Sequence, residues 1–546
     1  MSWNNIVGSL PSSFGDLNSL GYLDLSNNNL TGELPQKLVT DCYFLYLLKL
    51  SNNKFQGQIF PGAIHTFELA VLQLDNNNFV GKIPDSLSTL SFCLETLDLS
   101  NNHLHGELPK WIGNMTYLLH LSVYSNQLEG PFPTQFCMLE DIQLLDISDN
   151  KLSGSIPSCF NPETITHFYL SNNWFGGQLT DPFCNNSSSL RTLDLSRNNF
   201  RGTIPKWISD LVGLIILLLK GNHFEGIIPN QLCQLTDLSI LDLSCNNLTG
   251  SIPRCLGEMM TSDGLGSFNT DLTSEEIDNP MTDATDSYLE TSKFAMTFHL
   301  PLATIFNNEF NIIDNQNIRA EFTTKLQAHS FQGIVLEYMS GIDLSCNQLT
   351  GNILPDLGNL SKIYALNLSH NNLTGSIPIT LSGLAKIESL DLSYNKLNGR
   401  IPAQLIALNF LEVFSVAHNN LSGPIPDRKA QFATFDASSY EGNALLCGPP
   451  LSNLCTHKEL SPPQVLLHEN GEEESNFMDM KSFYISFLIA YTVMLVTVVA
   501  VLCINPYWRR TWFSFIEFCA MSCYDYVWIA FLKFKLRMRS LRSRFM

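Results

Sequence analysis

A solenoid of the α/β class, in which stacked coils contribute short strands to a parallel sheet, is the fold this sequence predicts. Two observations predict it: a frame that recurs every 23 to 25 residues, and leucines alternating with polar residues inside it. The stretches "LDLSNNNLTGELP" (23–35), "LDLSNNHLHGELP" (97–109) and "LDLSYNKLNGRIP" (390–402) share the pattern L-x-L-x-x-N-x-L-x-G-x-x-P. Its asparagines stand at Asn4, Asn28, Asn53, Asn77, Asn102, Asn126, Asn150, Asn173, Asn198, Asn222 and Asn246, then at Asn347, Asn371, Asn395 and Asn419. All fifteen have glycine four positions on, and twelve have proline at plus seven, with Phe60, Thr180 and Leu354 in the other three.

Each element has a physical task. The L-x-L stretch reads as a short strand with one face buried. A coil of about 24 residues cannot bury its leucines alone, so coils must stack. The asparagine amide is suited to satisfy backbone groups exposed where the chain leaves the sheet. Glycine permits a bend closed to other residues, and proline fixes the next turn without needing a donor. This consensus is structural. Its regular Asp and Ser with scattered His make no triad, so no enzyme, catalytic residue or cofactor is expected. No C-x-x-C clusters occur either, so no metal site is expected.

Charge is distributed unevenly. The 546 residues hold 31 basic and 51 acidic side chains, a net −20 that argues against a nucleic-acid partner. Residues 482–504, "SFYISFLIAYTVMLVTVVAVLCI", carry no charge over 23 positions, enough to span a bilayer as one helix. Acidic Glu472, Glu473, Glu474 and Asp479 precede this stretch, and Arg509 and Arg510 follow it, so the positive-inside rule predicts repeats outside and tail inside. The 42-residue tail is too short for a kinase. Its apolar stretch contains Glu517 and Asp525 and reads as interfacial.

Between Asn246 and Asn347 the interval is 101 residues, about 77 more than one period, which marks an insertion. For residues 261–292 a disordered insertion and a folded one are both open readings. After Asn419 the repetition stops at "SYEGNALLCGPPLSNLC" (439–455), which reads as a terminal cap closed by Cys447 and Cys455. Cys137 and Cys159, like Cys233 and Cys255, lie 22 residues apart, so both pairs are expected as disulfides between neighbouring coils. Cys245 and Cys346 become neighbours if the insertion loops out.

The "LxGxIP" repeats, the insertion, the cap, the acidic spacer, the apolar span and the tail "CINPYWRRTWFSFIEFCAMSCY" (503–524) together resemble the plant receptor-like proteins, which are leucine-rich-repeat membrane receptors without a kinase. The resemblance implies a leucine-rich-repeat solenoid with its sheet on the concave face, plus one transmembrane helix. It divides the chain into repeats (1–254), an island insertion (255–341), four last repeats (342–443), cap and spacer (444–481), span (482–504) and cytoplasmic tail (505–546). Family members start with a signal peptide and an N-terminal cap, whereas this sequence opens mid-coil at "MSWNNIVG", so an N-terminal truncation is expected.

The function implied is a plasma-membrane receptor that binds an extracellular peptide, protein or glycan and signals through an adaptor and a co-receptor kinase, chiefly in immunity. A non-signalling decoy or inhibitor-type binding protein, or a nonfunctional truncated copy, is the alternative. Ligand-binding candidates are the aromatic and cationic departures from the strand consensus, His120, Tyr124, His167, Tyr169, Arg197 and Lys220, expected to be exposed on the sheet. Co-receptor candidates are Lys325, His370, Tyr394 and His418, with Phe331 where the family often has tyrosine six residues after the lysine. Sequons at Asn29, Asn114, Asn185, Asn186, Asn247, Asn359, Asn367, Asn372 and Asn420 are candidate glycosylation sites.

Overall fold

The L-x-L segments of successive coils pair side by side, every pair parallel, into a fourteen-stranded sheet running from Tyr22–Asp24 to Val413–Ser415. The computed structural model describes residues 1–160, 163–179, 189–259 and 319–455, all within one compact unit, Met1–His457. Register is one coil per strand: Leu97, Leu121 and Leu145 are direct neighbours, and all three are fully buried. Burying each such leucine contributes about 1.5–3 kcal/mol.

The asparagine ladder closes the backbone accounting. The Asn53 carboxamide accepts from the Leu30 amide at 3.0 Å and donates to the carbonyls of Leu25 (3.0 Å), Leu50 (3.1 Å) and Ser51 (3.2 Å). Asn150 and Asn395 repeat the arrangement. The ladder runs one coil beyond the recurring frame, into the cap, where Asn443 accepts from the Leu421 amide at 3.0 Å. There Leu445–Cys447 pairs in parallel with Asn420–Pro424, and Phe432, Phe435 and Tyr440 pack around Phe414. Disulfides join Cys447 to Cys455, Cys137 to Cys159 and Cys233 to Cys255.

Two features depart from expectation. A second parallel sheet, of twelve strands from Val7–Ser9 to Gln348–Thr350, is built from the N-x-L-x-G segments that the frame suggested were only turns. Its local cause is alternation, as in exposed Gln127, buried Leu128 and exposed Glu129. Glycine at positive φ stands within or just after each run, +88° at Gly130. The helical part of the expected α/β class is slight. The return segments are 3-10 helices, such as Lys110–Asn114 after Pro109, and the one α-helix among the described residues is Lys37–Thr40. About five residues between proline and the next bend accommodate a 3-10 turn but not a cooperative α-helix.

The insertion leaves the solenoid unbroken. Ile240 pairs with Gly341 and Asp242 with Asp343, while Asn347 accepts from the Leu248 amide at 3.0 Å. Within the insertion, the chain forms an antiparallel hairpin of Arg319–Thr324 and Gln327–Gln332. Among the described residues no helix is long and apolar enough to cross a membrane. The expected span at 482–504 and the tail lie outside them, as do Asn185 and Asn186.

Candidate ligand site on the concave face

On the concave sheet the middle residue of the L-x-L segment is an aspartate in about every other coil: Asp98, Asp146, Asp194 and Asp242 alternate with Ser122, Tyr169 and Leu218, and Asp343 adjoins Asp242. Each aspartate caps the turn that follows its strand. Asp146 accepts from the Ser148 amide at 3.1 Å and the Ser148 hydroxyl at 2.5 Å, and Asp194 holds Ser196 in the same way. A column of carboxylates under partial cover is costly to ionise. Loss of solvent, then the neighbouring Asp75, push Asp98 up to about 8. Burial and Asp343 push Asp242 up to about 7 against the opposing pull of Lys220.

The hairpin is seated on this face. Arg319 is its keystone, with a guanidinium 2.8 Å from Asp146, touching Ser148 and lying 3.8 Å over the Tyr124 ring. The Arg319 amide donates to the Tyr169 hydroxyl at 3.2 Å. Further along, Glu321 pairs with Arg197, and the Thr323 hydroxyl accepts from Lys220 Nζ at 2.7 Å. Ala320 and Phe322 form an apolar underside packed with Ile216, Leu218 and Ile240. At the turn Lys325 lies 2.9 Å from Glu388 and 2.7 Å from Glu412.

Four of the six sequence-proposed ligand residues, Tyr124, Tyr169, Arg197 and Lys220, therefore meet the chain's own hairpin. The expectation of exposure needs correcting for three. His120, His167 and Tyr169 are buried, the histidines facing Thr96 at 3.4 Å and Thr192 at 3.1 Å. Tyr169 is buried beneath Arg319, and this raises its phenol above the ordinary range. Arg197 remains exposed, while Tyr124 and Lys220 are half-buried.

Of the co-receptor candidates, Phe331 is partly buried against the apolar patch and Lys325 is held in its ion pairs. His370, Tyr394 and His418 form a three-ring stack at 4.2 Å spacing, with Tyr394 46% exposed. Among the sequons Asn114, Asn247, Asn359 and Asn420 are exposed. Asn29 and Asn372 are half-buried, and the Asn367 side chain is engaged with Asp343 and Ser369.

Reading the sequence missed the apolar seat. The signal was present: Leu218 stands where neighbouring coils carry aspartate, and Gly341 begins a strand. A Cβ at Gly341 would lie 2.5 Å from the Phe322 ring, so a larger residue there would displace the ring. Leu218→Asp is expected to leave the solenoid folded and weaken hairpin docking by about 1–3 kcal/mol, because it sets a carboxylate against the apolar underside of Ala320 and Phe322. Hydrogen exchange at residues 319–332 reads this as lost protection, and unchanged protection would refute it.

Cavities flank the keystone. One of about 160 Å³ is lined by Asp75, Asp98, Ser122, Tyr124, Asp146 and Arg319. A second of about 110 Å³ lies by Asp149, Asp194, Arg197 and Glu321. Beyond the hairpin turn a more open groove of about 370 Å³ runs past exposed Leu326, Tyr394, Glu412, His418 and Glu441.

Stacked coils, an asparagine ladder, two parallel sheets and an island folded back on the concave face define a leucine-rich-repeat solenoid. Leucine-rich-repeat family models match residues 93–152, 188–248 and 342–397, and a second such model matches 19–39 and 68–90. Receptor-like protein 14 of Arabidopsis thaliana is 39% identical over 524 residues, covering 94% of this chain and 52% of that protein. Cuscuta receptor 1 of Solanum lycopersicum is 62% identical over 211 residues, 38% of this chain and 19% of that receptor. Among solved structures, the ectodomain of the Arabidopsis thaliana receptor kinase GASSHO1/SCHENGEN3, in complex with Casparian strip integrity factor 2, matches with a TM-score of 0.65 at 30% identity. That match covers 84% of this chain and 45% of the receptor chain. A TDR receptor matches with a TM-score of 0.55 at 25% identity, covering 77% and 64%. The chain carries leucine-rich repeats and is similar over 94% of its length to a plant receptor-like protein, of whose length it spans about half.

Proposed function

We propose that this protein is a cell-surface receptor whose concave face, completed by the island hairpin, binds an extracellular ligand. It passes the signal to associated receptor kinases, chiefly in immunity. The observation that carries the reading is the seating of Arg319 between Tyr124, Tyr169 and Asp146. An island held there turns an open sheet into a walled groove with acidic cavities on one side and aromatic rings on the other. The relative GASSHO1/SCHENGEN3 binds its factor with an ectodomain of this kind, which supports a peptide or protein ligand here. The acidic side suits a ligand with cationic groups, since an opposite charge nearby favours the ionised form that burial penalises.

On this reading Leu326, His370, Tyr394 and His418 form the surface for a co-receptor kinase. The uncharged stretch 482–504, with acidic residues before it and Arg509 and Arg510 after it, supports an orientation with the repeats outside a plasma membrane and the tail inside. The test displays the full chain, behind a supplied secretion signal, on plant cells exposed to fractionated extracellular peptides and microbial extracts. Replacing Tyr124, Tyr169 and Arg197 together by alanine is expected to abolish retention of the active fraction while surface display persists. Alanine at His370 and Tyr394 is expected to leave retention intact and remove ligand-dependent co-purification of kinases. Undiminished retention by the triple variant would sink the site. Recovery of no kinase with the unaltered chain would sink the signalling role.

A further inference from the structure

The residue before each ladder asparagine stands in the left-handed region: φ is +51° at Cys245, +55° at Cys346 and +52° at His370, Tyr394 and His418. Side chains at this position project onto their counterparts in the next coil. His370, Tyr394 and His418 stack at 4.2 Å, and the Asn172 amide donates to Asp149 at 2.5 Å. Cys245 and Cys346 occupy this position in the two coils that flank the insertion. Their backbones are locked in register, with the Cys245 amide donating to the Ser345 carbonyl at 2.9 Å and the Cys346 amide to the Ser369 carbonyl at 3.0 Å. Both cysteines are free and exposed. Strands lie about 4.8 Å apart in a sheet, within the roughly 4.4–6.8 Å that a disulfide spans between Cα atoms.

We propose that Cys245 and Cys346 are an oxidisable pair that closes as a disulfide and latches the island's point of exit to its point of return. This rests on the extracellular reading above, where a peroxide oxidant is the co-reactant. One thiol reacts with hydrogen peroxide to give a sulfenic acid and water. The second thiol then displaces the hydroxyl, forming the S–S bond and a second water, so two thiols and one peroxide give one disulfide and two waters.

The location gives the latch its purpose. Elsewhere in the described solenoid neighbouring coils are joined by about one period of chain, but here the separation is 346 − 245 = 101 residues. Strand pairing and stacking hold this step without a short covalent link, and a cross-link closing so long a loop restricts the unfolded chain most. Lys220, which carries Thr323 of the hairpin, sits one coil away, so the latch also steadies the seat of the island.

The test uses the purified full chain, treated with stoichiometric hydrogen peroxide, alkylated and mapped without reduction. The expected result is loss of both thiols and a cross-linked peptide joining Cys245 to Cys346. In Cys346→Ser the cross-link is absent, and Cys245 is trapped as a sulfenic acid by a dimedone probe. Recovery of both cysteines as alkylated thiols after peroxide, or of Cys245 bonded elsewhere, overturns the proposal. The compartment is judged separately, on untreated protein. If Cys137, Cys159, Cys233, Cys255, Cys447 and Cys455 are all thiols there, the extracellular reading fails while the peroxide result still decides the pair.

Discussion

Arg319→Ala is expected to release the island hairpin from the concave face and to abolish ligand binding with it. The side chains of Arg319 and Asp146 are only 20% and 6% exposed, so removing the cation leaves a carboxylate facing a covered cavity with no counter-charge. Breaking such a pair costs about 3–5 kcal/mol. Loss of the guanidinium from the Tyr124 ring adds to this, because a desolvated cation–π contact is worth about 2 kcal/mol. The contacts that remain are weaker. Arg197 with Glu321 is an exposed pair worth about 0–1 kcal/mol, and the Phe322 patch is small. Arg319→Lys should recover part of the docking, since it keeps the charge but lacks the planar face that lies over Tyr124. Hydrogen exchange at residues 320–332 measures the release, and full protection in Arg319→Ala would show that the apolar underside and the contacts of Glu321, Thr323 and Lys325 hold the hairpin without it.

How much of this could be read beforehand follows from what repeats. The coils were readable because every Asn, Gly and Leu of the frame answers to a local backbone need that recurs fifteen times. The second sheet was missed because its strands share residues with the turn signal. In "NLTGS" (247–251) the same glycine both belongs to a strand and looks like a loop. The cap asparagine, Asn443, was hidden by the lack of glycine four positions on, where Cys447 stands. The candidate site was half readable. Departures from the consensus marked Tyr124, Tyr169, Arg197 and Lys220, but a departure records only that something other than water meets the face. Whether the occupant is a foreign ligand or the chain's own island depends on a contact between residues 150 positions apart, such as Arg319 with Tyr169. No local pattern encodes such a contact. The apolar departures were passed over because leucine in a leucine-rich frame draws no notice, although Leu218 was as informative as Lys220.

The concave face should be less stable in alkali than in weak acid. Asp98 is held at about 8 by burial and Asp75, and Asp242 at about 7 by burial and Asp343, against an ordinary value of 3.8. Asp75, Asp146, Asp194 and Asp343 are raised as well, each chiefly by burial. A carboxyl whose folded pKa lies above its unfolded one binds more protons in the folded chain throughout the interval between the two. Stability must therefore fall as pH rises from about 4 through about 8. A tenfold gain in proton affinity corresponds to about 1.4 kcal/mol, so the column together implies a loss of a few kcal/mol across that window. The cations facing it, Arg319 over Asp146 and Lys220 beside Asp242, reduce the penalty without removing it. Exposed Asp427 and Asp436 are displaced the other way, by Lys429 and by the Ser438 donors, and titrate below the window. Thermal melts of the full chain at pH 5 and pH 8.5 are expected to give the lower midpoint at pH 8.5. Asp98→Asn, which keeps an acceptor for Ser100 but cannot ionise, should lessen that fall. A midpoint that stays level or rises toward pH 8.5 would mean that the column ionises freely, and that the island does not cover it as tightly as Arg319, Tyr124 and Asp146 require.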